Sequence, residues 1–293
     1  MRVTENVRFL YSARVLAQGA ESMLRLSTQI ASGQKVTKPS DAPSVYASIV
    51  QRSDFISRLG ARRDTLDRSA SDLRLAEGSL ASAADLLVRA REIAVQFADP
   101  ANGQPERDAA AKEVAALRQQ LVAIANTKGQ RGYLFSGTQT STAPIDATGA
   151  FVGDDLPLNV EYADGQYTRA NVDGEYAFSA AGGTDPFALL AQLETDLTGG
   201  NLAAIRTALA SLEAVHQQVN LVRTDAGVAI NRLESSSGLT STALSHSEKL
   251  QADEKQGDIA ELATKLSLAQ AAYERSITVT RQVLNVASIV DKF

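Results

Sequence analysis

Ile259-Ala260-Glu261-Leu262-Ala263-Thr264-Lys265-Leu266 opens a stretch that runs without proline to Val290. Stepping through it by three and four residues in turn gives Ile259, Leu262, Leu266, Ala269, Tyr273, Ser276, Thr280, Val283, Ala287 and Val290. Eight of these ten are apolar and the other two are small hydroxyl residues. A 3-4 alternation kept up over this length is a coiled-coil seam. Two more apolar rows run beside it, Ala272, Val279, Val286, Phe293 and Ile277, Leu284, and residues 276–290 carry one charge, Arg281. A helix that is apolar on several faces has to be covered by something. The rest of the chain is therefore read for what covers it.

The first thirty residues supply one partner. Phe9, Ala13, Leu16, Ala20, Met23, Ser27 and Ile30 form another unbroken 4-3 alternation. Residues 1–33 are expected to make one helix, stopped by Gly33 as a C-cap glycine. Two heptad helices at opposite ends of one chain are expected to meet as an antiparallel pair. That pair hides one row of each helix, so the extra rows near the chain end call for further copies of the same chain.

Composition narrows the function. The chain is 44% hydrophobic but only 5% aromatic, so Ala, Leu and Val carry its apolar content, which suits long helices with shallow packing. It has no cysteine, which excludes disulfides and thiolate metal sites. No run of eighteen apolar residues occurs, so no membrane span is expected. Arg2, Glu5, Arg8 and Arg14 stand where a signal peptide would have its apolar region, so no cleaved leader is expected. The net charge of −5 argues against nucleic acid.

In chain order, Lys38-Pro39-Ser40-Asp41-Ala42-Pro43 is a loop, with Ser40 or Asp41 expected to cap the next helix. A helix follows over 44–98 with a seam of Val45, Ile49, Ile56, Leu59, Leu66, Ala70, Leu73, Leu80, Ala84, Leu87 and Ala94, interrupted by Arg52, Arg63, Glu77 and Arg91. Gly60 and Gly78 are its candidate bend points. Pro105 starts a helix with Ala110, Val114, Leu117, Leu121 and Ile124 on one face. Gly132-Tyr133-Leu134-Phe135-Ser136-Gly137-Thr138 reads as a short apolar strand. Asp185-Pro186-Phe187 restarts helix, Gly199-Gly200 breaks it and Asn201 caps it again. Ile205, Leu209, Leu212, Val219, Ala226, Ile230 and Leu233 then hold one seam, interrupted by His216 and Arg223.

Residues 140–183 differ from the rest, with seven acids against Arg169 alone. Leu158, Val160 and Tyr162 alternate, and Asp164-Gly165 and Asp173-Gly174 read as two turns of a β-meander. Asp146, Asp154, Asp155, Glu161, Asp164, Asp173 and Glu175 raise the possibility of a glycosidase pair or a calcium site. Turn chemistry accounts for Asp164 and Asp173, and an acidic solvated surface is the simpler reading. His216 and His246, the only histidines, lack ligand spacing. No nucleophile–base pair, metal cluster or phosphate loop appears, so neither catalysis nor a cofactor nor a metal is expected.

The fold class that follows is mainly α with a small β insert. It is a long helical bundle or coiled coil with the N- and C-terminal helices paired and a small antiparallel β domain at the far end. Residues 1–40 and 257–293 are read as a terminal coiled-coil domain, 41–139 and 184–256 as a helical bundle domain, and 140–183 as a β-rich outer domain that the bundle does not need in order to fold.

Three motifs then stand out. Leu26-Ser27-Thr28-Gln29-Ile30-Ala31-Ser32-Gly33 with Lys38-Pro39-Ser40-Asp41-Ala42-Pro43 looks like the N-terminal pattern of the flagellin superfamily, and the whole order of segments resembles that family. Arg89-Ala90-Arg91-Glu92-Ile93-Ala94-Val95-Gln96 is similar to its long-helix motif, which singles out Arg89, Arg91, Glu92 and Gln96. Arg131-Gly132-Tyr133-Leu134-Phe135-Ser136-Gly137-Thr138 and the insert closing on Asp185-Pro186-Phe187 are similar to the hook-associated members at the hook–filament junction. Val286 to Phe293 lacks the aromatic-rich ending of many of those members, which keeps a filament flagellin as the alternative.

The resemblance implies a structural subunit of a helical ring or tube outside the bacterial cell, exported through the flagellar type III apparatus. It implies as partners other copies of the chain, flagellin, a neighbouring hook-associated protein and an export chaperone. The terminal helices would form the inner layer of the tube, and the insert its outer surface. The assembly interface is expected on Phe9, Leu16, Met23, Ile30, Leu266, Tyr273, Ile277, Val279, Leu284, Val286, Val290 and Phe293. Readings from other classes are a sugar-binding or enzymatic insert, marked by convergence of its acids in a pocket, and an intracellular coiled-coil scaffold, marked by independence from flagellar export.

Overall fold

The computed structural model describes residues 2–146 and 149–290, apart from the side chains of 2–6, 8 and 283–290. The elements are α1 (Arg2–Ser32), α2 (Pro43–Phe97), α3 (Gln104–Ala125), β1 (Lys128–Gly129), β2 (Gly132–Tyr133), β3 (Asn159–Ala163), β4 (Gln166–Arg169), α4 (Gly174–Phe178), a 3-10 turn (Ala180–Gly182), α5 (Pro186–Thr198), α6 (Leu202–Lys255) and α7 (Ile259–Val290). The fold is mainly α with small antiparallel β pieces, as the periodicity predicts. It divides into two compact units, Met1–Arg58 with Ala243–Phe293, and Leu59–Thr242.

Most helix boundaries follow from local chemistry. α1 stops at Gly33, whose φ of +67° a residue with a Cβ would resist. α5 starts where the Asp185 carboxylate accepts the N–H groups of Phe187 and Ala188, at 2.8 and 3.1 Å. Gly200, at φ +65°, ends that segment, and Asn201 Oδ1 accepts Ala204 N–H to start the next. α2 runs unbroken through Gly60 and Gly78, where an added Cβ would meet nothing. Both glycines sit on an open helix face, and neither interrupts the helix.

One cap differs from expectation. Asp41 does not cap α2, because Oδ2 turns back to accept Thr37 N–H, Thr37 Oγ1–H and Lys38 N–H at 2.9–3.0 Å. Three donors in the loop thus engage one oxygen of this carboxylate, Oδ1 is buried without a hydrogen-bond partner, and α2 begins at Pro43 with the Ala42 carbonyl accepting Tyr46 N–H.

In the unit Leu59–Thr242, the α2 seam is buried at Leu66, Ala70, Leu73, Leu80, Ala84, Leu87 and Ala94. The α6 seam is longer than its sequence suggests: Ile205, Ala208, Leu212, Val215, Val219, Val222, Ala226, Ala229, Leu233, Ser236 and Thr240 are buried in one 3-4 row. Val114, Leu117 and Leu121 of α3 and Leu190, Leu193 and Leu197 of α5 complete the core. The charges that interrupt the seams find ion-pair partners. Glu77 of α2 takes Arg223 of α6 at 2.7 Å, and Arg91 meets Glu213 at 3.3 Å. Exposed pairs of this kind add little stability individually.

The β region is smaller than a meander. Asp164-Gly165 does turn, and it joins β3 to β4 in an antiparallel hairpin. Asp173-Gly174 does not. Asp173 caps α4 by accepting Tyr176 N–H, and Gly174 is a glycine because a Cβ there would lie 1.9 Å from the Phe135 carbonyl oxygen. Tyr176 and Phe178 are therefore helical. The expected strand over 132–138 shrinks to a two-residue pairing of β2 with β1. Leu134 to Gly137 are buried without a ladder, and Phe135 packs edge-on against Phe178 at 5.1 Å, with Phe187 beyond.

Candidate assembly interface

α1 and α7 lie antiparallel. Gln34 and Gln256 form an antiparallel bridge at one end of the pair, and an added Cβ on Gly19 would meet the Tyr273 ring at 2.9 Å. The α7 row that faces inward is the one read from the sequence: Leu262 is buried, and Leu266, Ala269, Tyr273, Ser276 and Thr280 are half-buried. Ile259, at its start, is exposed.

The α1 row is displaced from the expected one. Ser12, Val15, Gly19, Ser22, Leu26 and Gln29 are buried or half-buried, whereas Phe9, Ala13, Ala20 and Ser27 are exposed. Leu16, Met23 and Ile30 flank the true seam and are half-buried. Apolar periodicity does not reveal this row, because four of its six residues, Ser12, Gly19, Ser22 and Gln29, are small or polar. Their small size, and for Gln29 a hydrogen bond to the Lys35 carbonyl at 2.7 Å, lets the helices approach. The apolar residues then point away. Phe9 is 58% exposed, Leu10 65%, Tyr11 70%, Leu24 70%, and on α7 Leu268 is 66% and Val279 56%.

Of the twelve residues expected at the interface, Phe9 and Val279 are thus open, and Leu16, Met23, Ile30, Leu266, Tyr273 and Ile277 are half-buried. The side chains of Leu284, Val286 and Val290 lie outside the described ones, and Phe293 lies outside the described residues altogether. Arg89, Arg91, Glu92 and Gln96 all sit on the exposed side of α2. Arg89 donates to Glu113 at 2.7 Å and to Glu92 at 3.0 Å, and Arg91 pairs with Glu213, so these groups tie α2 to α3 and α6. The Asn102 amide binds the Gln96 carbonyl and closes the turn after α2.

Five of the seven acids of the insert have separate local partners, among them Asp146, which accepts Ala150 N–H. Asp154 accepts Thr138 Oγ1–H at 2.6 Å and Thr138 N–H at 2.7 Å, and these bonds hold its carboxyl below the usual range. Asp164 meets Arg62, Glu161 accepts Gly165 N–H, and Asp173 caps α4 and pairs with Arg169. Among the described residues, no group of three or more His, Cys, Asp or Glu is placed to hold a metal ion, and no helix is long and apolar enough to cross a membrane.

Residues 3–140 match the family described as the bacterial flagellin N-terminal helical region. Flagellar hook-associated protein 3 of Escherichia coli is 25% identical over 82% of this chain and 84% of its own length. Polar flagellin A of Vibrio parahaemolyticus is 29% identical over 47% of this chain and 37% of its own. A Vibrio parahaemolyticus structure described as a flagellar hook-associated protein superposes with a TM-score of 0.67 and 21% identity, over 74% of this chain and all of that one, which is a likeness of fold.

Proposed function

We infer that this chain, a member of the flagellin superfamily, is a structural subunit of the bacterial flagellum that joins the hook to the filament by helical self-assembly. The likeness to the Escherichia coli hook-associated protein along most of both chains carries the reading, whereas the likeness to polar flagellin A covers 37% of that flagellin and the likeness to flagellin C of Vibrio cholerae 52%. A joining subunit needs neighbours of its own kind along a ring and unlike neighbours above and below. The exposed apolar side chains of α1 and α7 offer a surface for such contacts.

On this reading the interface comprises Phe9, Leu16, Met23 and Ile30 together with Leu266, Tyr273, Ile277, Val279, Leu284, Val286, Val290 and Phe293. The parts 1–40/257–293, 41–139/184–256 and 140–183 form successive layers of the tube. Flagellin and a further hook-associated protein are the unlike neighbours. Export runs through the flagellar apparatus, with a chaperone covering the apolar end until release. The chain catalyses no reaction.

Immunogold labelling of intact flagella tests this. A narrow band at the hook boundary is expected, with loss of filament attachment on deletion of the gene. Label along the whole filament would replace the reading with that of a filament flagellin.

A further inference from the structure

Asparagine occurs nine times in the chain, and only Asn102 is followed by glycine. The others precede Val, Thr, Leu or Arg, whose side chains crowd the following backbone nitrogen. Asn102-Gly103 lies in the turn between α2 and α3, where Ala101 and Gly103 are exposed and Asn102 is half-buried. Among the described residues, nothing accepts the Gly103 N–H.

The Asn102 side chain has a definite task there. Its Nδ2 donates to the Gln96 carbonyl at 2.7 Å and lies 3.4 Å from that of Asp99. Gln96 stands in the last turn of α2, where no helical N–H remains to meet its carbonyl. Arg206 of α6 donates to the Ala98 carbonyl beyond it, at 3.0 Å. An amide and a guanidinium thus close this helix end, and the helix dipole favours donors and cations there over anions.

We propose that Asn102 is a site of spontaneous deamidation, which puts a carboxylate where the C-terminal end of α2 now has a donor and so loosens the α2–α3 turn. The Gly103 nitrogen, losing its proton to hydroxide, attacks Asn102 Cγ. A C–N bond forms, the Cγ–Nδ2 bond breaks, and Nδ2 leaves as ammonia with a proton taken from water. Water then opens the five-membered succinimide at either of its carbonyls, giving aspartate or isoaspartate. The net change is one water taken up and one ammonia released, with no oxidation or reduction. Gly103 leaves the path to Cγ clear, since its Cα carries no side chain. The Gln96 bond restrains the amide, so conversion proceeds through local opening of this exposed turn. Once it is complete, the Gln96 carbonyl has lost its donor and faces a negative charge, both of which cost stability. None of this depends on the flagellar reading.

The test uses the full chain, incubated in mildly alkaline buffer made with heavy-oxygen water and digested afterwards in ordinary water. Trypsin releases residues 92–107, in which Asn102 is the one asparagine. Heavy oxygen is expected to enter this peptide, as aspartate and isoaspartate, ahead of the peptides that hold the other asparagines. Gly103→Ala should slow its entry several-fold; the added methyl collides first with Glu106 Oε2, the free end of an exposed side chain. Asn102→Asp, which supplies the carboxylate from the start, should lower the denaturant midpoint of the unit Leu59–Thr242. The proposal is overturned if residues 92–107 gain no heavy oxygen, or gain it no sooner than the other asparagine peptides. It is equally overturned if Gly103→Ala converts as fast as the parent chain, or if Asn102→Asp leaves the midpoint unmoved or raises it.

Discussion

Gln218 shows how much one side chain can organise. It is buried on α6, and its Nε2 lies 2.7 Å from the Tyr176 carbonyl and 3.3 Å from those of Ala177, Ser179 and Thr184, while Oε1 accepts Thr184 N–H. Its two amide protons are thereby shared among the carbonyls of a segment that has no ladder of its own. Gln218→Leu keeps the volume and strands those groups, so denaturant unfolding should show a loss of about 1–3 kcal/mol with an unchanged slope. Asp72 plays a similar part from α2, accepting Gln130 N–H at 2.9 Å and Arg131 Nε–H at 3.0 Å.

Three carboxylates set the acid response. Burial opposes ionisation of Asp41, but the Thr37 and Lys38 donors and the nearby Arg25 charge outweigh it and hold the carboxyl below its usual value. Glu254 is lowered first by its hydrogen bond from Arg52, against burial, and Asp154 by Thr138. Each binds its proton more weakly folded than unfolded. Their contribution is therefore complete above the ordinary carboxylate range and is lost as pH falls through the folded values. The melting temperature should hold from pH 7 to about 5 and drop below about pH 4, with a smaller drop in Asp41→Asn. An equal drop in that variant would count against Asp41 as a contributor.

Among the elements, the insert is less separate than its composition suggests. Ile145, Val172, Ala177 and Phe178 belong to the same buried cluster as the α2, α3, α5 and α6 seams. Deleting 142–182 removes the partner of Phe135 and Phe187 and strips Gln218 of its contacts with the Tyr176, Ala177 and Ser179 carbonyls. The unit Leu59–Thr242 should then lose several kcal/mol, in the range of large-to-small core changes, read as a lower denaturant midpoint. An unchanged midpoint would restore the self-contained insert. The terminal helices give the opposite lesson. Their pairing is local to two elements, and Gly19→Leu should disturb it by colliding with Tyr273 while leaving the melting of Leu59–Thr242 unchanged.

For the whole molecule, the proposed assembly is expected to use the apolar side chains left open on α1 and α7. Phe9→Asp with Val279→Asp places charge on two exposed positions that make no buried contact within the chain. Sedimentation should show this variant as a monomer where the parent protein polymerises, with the Leu59–Thr242 transition unmoved. Polymers of normal length from the double variant would remove these rows from the interface.

The sequence by itself determined every helix but α4, most of their boundaries to within a residue or two, the α2 seam, the described part of the α7 seam and the hairpin at Asp164-Gly165. These depend on periodicity and on caps that act within a few residues along the chain. It did not reveal the α1 face, the roles of Gly174 and Gln218, or the bridge at Gly33–Lys35. Each of those is settled by a group distant in the chain: Tyr273 for Gly19, the Phe135 carbonyl for Gly174, the 176–184 carbonyls for Gln218, and Lys255–Gly257 for the bridge. A small or polar residue acquires a meaning only when its neighbour in space is known. Burial of a leucine, by contrast, is favourable almost whatever surrounds it, so the apolar rows of α2 and α6 could be read in advance and the polar contacts beside them could not.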